Sequence, residues 1–341
     1  MTIPVFKPSI KRVDMNAVLT CMVSDTIGPG KVSERFSRGV ARYLGLTGGV
    51  ALREYNRALR LAIDCLELAA HEKVILSALS PSLYHAIVQE KNLQPLYADV
   101  EEETGCVSCA SIEQLMKEEP SAILVHAPLG FVPDMQTIRS FGLPIIEDIS
   151  QSLGGNTVER TLGTYGNYVV LATESDNIIT TGGGALVLAG TKSDVRKLKQ
   201  YAEKFTEDSY LADMNGALGL VQLESLEQYI DRRKEIAQVY SRAIMKSKHK
   251  TLYQKDDSEN IYYSFPVYLT SGMKEVMQYA KKKKVQTLPA FRGSAAEEQL
   301  VPVKTTPVAH TLHLRSLLFP LYPMLGKQNI EHIAKVLSSL P

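Results

Sequence analysis

The chain has 341 residues, 45% of them hydrophobic and 22% charged, with 38 basic side chains against 37 acidic ones. That length suits two domains, or one large domain with an appendage, and the even charge excludes a basic nucleic-acid-binding surface as the leading expectation. Four cysteines are too few for a disulfide scaffold, no apolar run approaches the roughly 18 to 20 residues that cross a bilayer, and the opening MTIPVFKPSIKRVD lacks an apolar h-region, so a cytoplasmic location is expected.

In chain order, VSERFSRGVARYLG has apolar residues at helical spacing and ends in Gly45, a usual helix stop. LRLAIDCLELAA, KVILSAL, YHAIVQEKNL, PLYADV, IEQLMKEE and SAILVHA then alternate helical patterns with short apolar runs. Such alternation predicts βαβ units and a mostly parallel sheet. LPIIED, YVVLAT and GALVLA continue it, each ending near polar or glycine residues, where open α/β sheets bind ligands. After residue 195 the character changes. SLEQYIDRRKEIAQVYSRAIM predicts a long amphipathic helix, and the polar stretch KSKHKTLYQKDDSEN reads as a boundary. IYYSFPVYL then reads as a strand, with MKEVMQYAKKKK and NIEHIAKVLSSL as helices of a small α+β domain. The expected division is 1–245 and 246–341. Lys281 to Lys284 close their helix, where cations complement its dipole and stay solvated.

No metal site is expected. Cys106-Val-Ser-Cys109 lacks a second pair to complete four ligands, and His310 and His313, at i and i+3, lack a third. These residues read as structural.

Five segments in order carry a resemblance: IGPGKVSERF, VHAPLGFVPDM, IIEDISQSLGG, ALGLVQLESLEQYIDRR and LLFPLYPM. Over essentially its whole length the chain resembles the DegT-type sugar aminotransferases, pyridoxal-phosphate (PLP) enzymes of fold type I. The resemblance implies a three-layer α/β/α large domain with a mostly parallel sheet, a small C-terminal α+β domain, and a homodimer with sites at the subunit boundary. A heterodimer with an active relative is the other assembly considered, and no nucleic-acid or membrane partner is expected.

The family's chemistry needs a carboxylate on the pyridine nitrogen, a lysine to hold the cofactor as a Schiff base, a flat group over the ring and donors for the phosphate. Asp148 falls on the carboxylate and Gln151 on the glutamine that accompanies it; by residue type alone Asp148 would read as a helix N-cap. The lysine is missing. Counting without gaps from Gly166, its position falls on Asn177, or on Asp176 if the register slips by one. An amide forms no imine and cannot shuttle a proton, while Asp176 could serve only as a general base. No lysine lies between Lys117 and Lys192.

The phosphate positions are altered as well. Ala172 stands where the family has a serine hydroxyl. The family's Ser-Gly-Thr turn, which opens a helix at a natural anion site, falls on Glu54-Tyr55-Asn56. There Tyr55 replaces the glycine that admits the phosphate, and Glu54 adds a negative charge that could itself occupy the anion site. The family's cross-subunit asparagine falls on Asp208. Two carboxylates would repel a phosphate dianion by roughly 1 kcal/mol or more each. For the flat group the segment offers Pro81, with Tyr84 one turn on as the alternative.

Some relatives are lysine-free dehydratases with histidine in the vacated place, but no histidine occupies it here. The leading expectation is therefore an inactive aminotransferase-like protein, needing no cofactor, with a binding, regulatory or partner-subunit role. The alternative is a lysine-independent enzyme that uses PLP or pyridoxamine phosphate (PMP) on a nucleotide sugar.

Overall fold

The structure, a computed structural model, describes residues 2–25, 27–254 and 258–341. Helices α1 (Arg12–Val23) and α2 (Lys31–Tyr43) lead into β1 (Gly48–Leu52) and α3 (Tyr55–Asp64). There follow β2 (Lys73–Ser77), α4 (Ser82–Glu90), β3 (Gln94–Ala98), α5 (Cys109–Leu115), β4 (Ala122–His126), α6 (Met135–Ser140) and β5 (Ile145–Asp148). Then come β6 (Tyr168–Ala172), β7 (Ala185–Ala189), α7 (Lys192–Ala202), α8 (Asp213–Glu224) and α9 (Leu226–Ile244). The rest is β8 (Lys250–Thr251), β9 (Phe265–Tyr268), α10 (Met273–Lys282), β10 (Leu288–Pro289), α11 (Pro307–Arg315), β11 (Ser316–Phe319) and α12 (Lys327–Ser338).

Seven strands form one sheet in the order β1-β7-β6-β5-β4-β2-β3. From β6 to β3 all neighbours are parallel, and β7 alone runs against both of its neighbours. Helices cover both faces, so the central strands are buried throughout and read as apolar runs, interrupted only by His126 at the end of β4 and Glu147-Asp148 at the end of β5. Strand alternation divides the side chains between two cores. In β7, Leu186 and Leu188 join the core shared with α2 and α9, while Val187 faces α3, α4 and α7. Each such buried aliphatic side chain is worth about 1.5–3 kcal/mol. This is the three-layer α/β/α arrangement.

A second sheet, β10-β11-β9-β8, is wholly antiparallel. It packs on α10, α12 and the second half of α9, where Ile236, Tyr240 and Ile244 are buried; the first half of α9, with Leu226 and Ile230, serves the large core. The N-terminal residues also join the second sheet's side, with Ile3 bridged to Val285.

Some local expectations differ from the structure. The helical pattern LRLAIDCLELAA stops at Asp64, because Glu67 turns left-handed. The polar stretch 246–260 contains β8, and its residues 255–257 lie outside the described residues. Strand β1, not anticipated, pairs with β7. Among the described residues no helix is long and apolar enough to cross a membrane, and no cluster of three or more His, Cys, Asp or Glu is placed to hold a metal. His310 and His313 lie ring to ring on α11, and His310 turns to the Val301 carbonyl.

Candidate functional site

The carboxyl ends of β4, β5 and β6 meet the first turns of α3 and α4, the place where open α/β sheets gather ligands. The β4–β5 register sets His126 directly beside Asp148. Asp148 is 1% exposed, and its two oxygens divide their partners. Oδ1 accepts the Ser150 amide at 2.9 Å and the Ser150 hydroxyl. Oδ2 accepts the hydroxyls of Tyr55, the first residue of α3, and Tyr84, in the first turn of α4. The two phenol oxygens lie 3.2 Å apart. His126 Nδ1 stands 3.7 Å from Oδ2 and is buried without a closer partner.

Burial raises the Asp148 carboxyl, but the His126 imidazole, then the Ser150 and Tyr55 hydroxyls, more than reverse this and hold it below the ordinary range. Burial, followed by the Asp148 charge, pushes Tyr55 and Tyr84 far above theirs. The stable state is an ionised carboxylate holding two neutral phenols. Its neighbour Glu147 is structural, accepting the amides of Gly163, Tyr165 and Gly166.

The loop between β6 and β7 is tied to the site through Asn177. Its Thr180-Thr181-Gly182 turn is pinned by the Thr173–Thr181 hydroxyl contact at 2.7 Å, and Gly182, Gly183 and Gly184 all have positive φ. A Cβ on Gly184 would meet Leu211 at 2.5 Å, so the third glycine is also required by space. Asn177, where the ungapped count puts the family's lysine unless the register slips to Asp176, is a staple. Its Oδ1 accepts the Glu174 amide at 2.7 Å, and its Nδ2 donates to the Ser150 carbonyl at 3.0 Å. Asp176 is exposed, with the Tyr263 hydroxyl beside it.

The remaining sequence-derived positions lie around this centre. Ala172 ends β6, its amide bonded to the Ser150 hydroxyl at 2.8 Å, and it supplies no side-chain donor. Gln151 accepts the Leu129 amide at 2.8 Å and fixes the left-handed residue of the Pro128–Gly130 turn. Glu54 holds the N-cap position of α3, but it is exposed and its carboxylate takes none of the helix amides; the expectation that it fills the anion site is corrected accordingly. Asn56, half-buried, is the second residue of α3. Asp208 is exposed in the turn before α8, and its carboxyl is lowered by the Thr206 hydroxyl and, further down, by Arg57 and Arg53. Pro81 precedes α4 as its N-cap, bridged to Ser294. Tyr84 does not lie flat over an open ring site: its hydroxyl reaches Asp148, and its ring stands edge-on to His126.

These residues do not fit a pyridine ring on Asp148. A carboxylate offers about four lone-pair positions, and Ser150 takes two while Tyr55 and Tyr84 take the others. Asn177 offers no amine for an imine. The sequence singled out Tyr55 and Tyr84 for other roles and gave no sign that both bond to Asp148; His126 and Ser150 were not singled out. The available signal was position: His126 ends the strand before the Asp148 strand, and each tyrosine lies in the first turn of a helix that follows a strand.

Comparison with known proteins agrees with this geometry at the level of fold. GDP-perosamine synthase of Escherichia coli O157:H7 is 24% identical over 364 residues, covering 98% of this chain and 97% of its own. The aminotransferase TlmJ from Streptoalloteichus hindustanus superposes with a TM-score of 0.92 at 20% identity, over 98% of each chain. A Streptococcus pneumoniae protein described as a sugar aminotransferase, solved in a PLP form and a PMP form, has a TM-score of 0.88 at 18% identity in each; the PLP form covers 99% of this chain and 98% of its own. The profile of the DegT/DnrJ/EryC1/StrS aminotransferase family matches residues 8–338, so the seven-stranded sheet, the second sheet and the Asp148 centre all fall within one matched span, and the chain belongs to that family.

Proposed function

We propose that this chain does not carry out lysine-dependent transamination and instead acts by binding, as a regulatory protein or partner subunit, with a nucleotide sugar as its ligand class. The carrying observation is Asn177: where the ungapped count puts the family's lysine, with Asp176 the alternative register, a non-ionisable amide is bonded at both ends into the loops around Asp148. A transaminase must release and recapture its cofactor on an amine within reach. No lysine lies between residues 117 and 192. The ligand class is suggested by the GDP-sugar named for a relative. The assembly proposed is a homodimer, to which the exposed apolar residues of α1, Val13, Met15, Leu19 and Met22, lend a surface. A heterodimer would show as co-purification of a relative from the native cell.

The second reading, a lysine-independent enzyme using PLP or PMP with Asp176 as base, draws support from the exposed Asp176 beside Tyr263. It requires a cofactor on Asp148, which the two phenols oppose. Titration of the purified protein with PLP, followed by visible absorbance and borohydride reduction, separates the readings. The first expects neither a saturable band nor a reduced adduct. The second expects saturable uptake without an adduct, and a reducible lysine adduct would overturn the first.

A further inference from the structure

We infer that Tyr55 and Tyr84 form an internal stand-in for the cofactor ring, which keeps the Asp148 centre closed and satisfied without any bound group. The inference rests on the reading that this chain works without PLP, and adds which residues replaced it.

The chemistry of the replacement is like for like. A protonated pyridine would give Asp148 one N–H donor; the two phenols give it two O–H donors on the same oxygen, Oδ2. The donors arrive from separate helices. Tyr55 comes from α3, which packs on β6 and β7, and Tyr84 from α4, which packs on β2 and β3. Their meeting at Asp148, in the intervening β5, ties together helices from either side of the sheet's centre. Tyr84 is fully buried in the same core as Ile87 and Val88, so turning it aside would leave a void there.

A second place is filled in the same manner. Asn177 joins the loops where an imine would stand. The substitution of Tyr55 for glycine in the family's helix-opening turn therefore has a positive role besides blocking access.

PMP is the probe, because its binding needs no lysine. Its affinity is measured by calorimetry for the wild type, for Tyr55→Gly/Tyr84→Ala, and for that double variant with Asp148→Asn added, each checked for a cooperative melt. The expected result is no saturable binding to the wild type, at least tenfold tighter binding to the double variant, and loss of that gain when Asp148→Asn is added. A folded double variant that binds no better than the wild type overturns the stand-in and leaves the function reading intact. Wild-type protein that binds PMP as tightly as the double variant overturns both. Should the double variant fail to fold, Tyr55→Phe/Tyr84→Phe supplies the decision through alkaline absorbance titration. The two missing phenols should subtract nothing from the tyrosines that ionise in the native state; a loss of two natively ionising tyrosines overturns the inference.

Discussion

The side-chain amide of Asn177 donates to the Ser150 carbonyl at 3.0 Å, tying the loop after β6 to the residue whose hydroxyl and amide hold Asp148. Asn177 is thus part of the scaffold. Asn177→Lys should lose both bonds of the staple and destabilise the fold by about 1–3 kcal/mol. It should also give no borohydride-trapped PLP adduct above the wild-type level, because the tyrosines still cover Asp148. Urea unfolding and intact-mass spectrometry check the two halves.

Removing the acceptor should cost more. Asp148→Ala strands two phenols of a buried polar cluster and should destabilise by about 3–5 kcal/mol, as when one partner of a buried charged network is deleted. Asp148→Asn keeps an acceptor oxygen and should lose less. The ordering of the two denaturation midpoints is the readout.

The same cluster sets a pH dependence at both ends. Tyr55 and Tyr84 are raised in the folded state. Their contribution is therefore complete below the ordinary phenol value of about 10 and is lost as pH climbs above it, at up to about 1.4 kcal/mol per pH unit for each group. Asp148 is lowered, so its contribution is present above the ordinary carboxylate range and is lost as pH falls toward its folded value. The melting temperature of Tyr55→Phe/Tyr84→Phe should accordingly fall less steeply than that of the wild type on the alkaline side.

Glu54 supplies a contrast. It sits at the helix entrance without bonding to it and is exposed, so Glu54→Gln should change stability by no more than about 0.5 kcal/mol. A larger loss in thermal unfolding would restore the idea that its carboxylate occupies the anion site.

What sequence could and could not disclose follows from which interactions are local. Strands β4 to β7 announce themselves because both faces are buried and every residue in them is apolar, apart from His126, Glu147 and Asp148 at their carboxyl ends. Strand β1 does not: Gly-Gly-Val-Ala-Leu follows a Gly-Leu-Thr turn, lies at the sheet's edge, and becomes a strand only through pairing with β7, which is distant in sequence. At the site, the strand end that carries Asp148 and the glycine-rich loop that carries Asn177 were legible from the residues around each. The role of the tyrosines was not, since Tyr84 reads as one more buried residue of an amphipathic helix. Only the convergence of α3 and α4 brings both hydroxyls to one oxygen.

The central claim is that the place of the cofactor is filled from within. Wild-type protein purified from cells supplied with vitamin B6, then denatured to release any bound cofactor, tests it most directly. The account expects the supernatant to contain no PLP or PMP above the level of a control protein. Release approaching one cofactor per chain would contradict it.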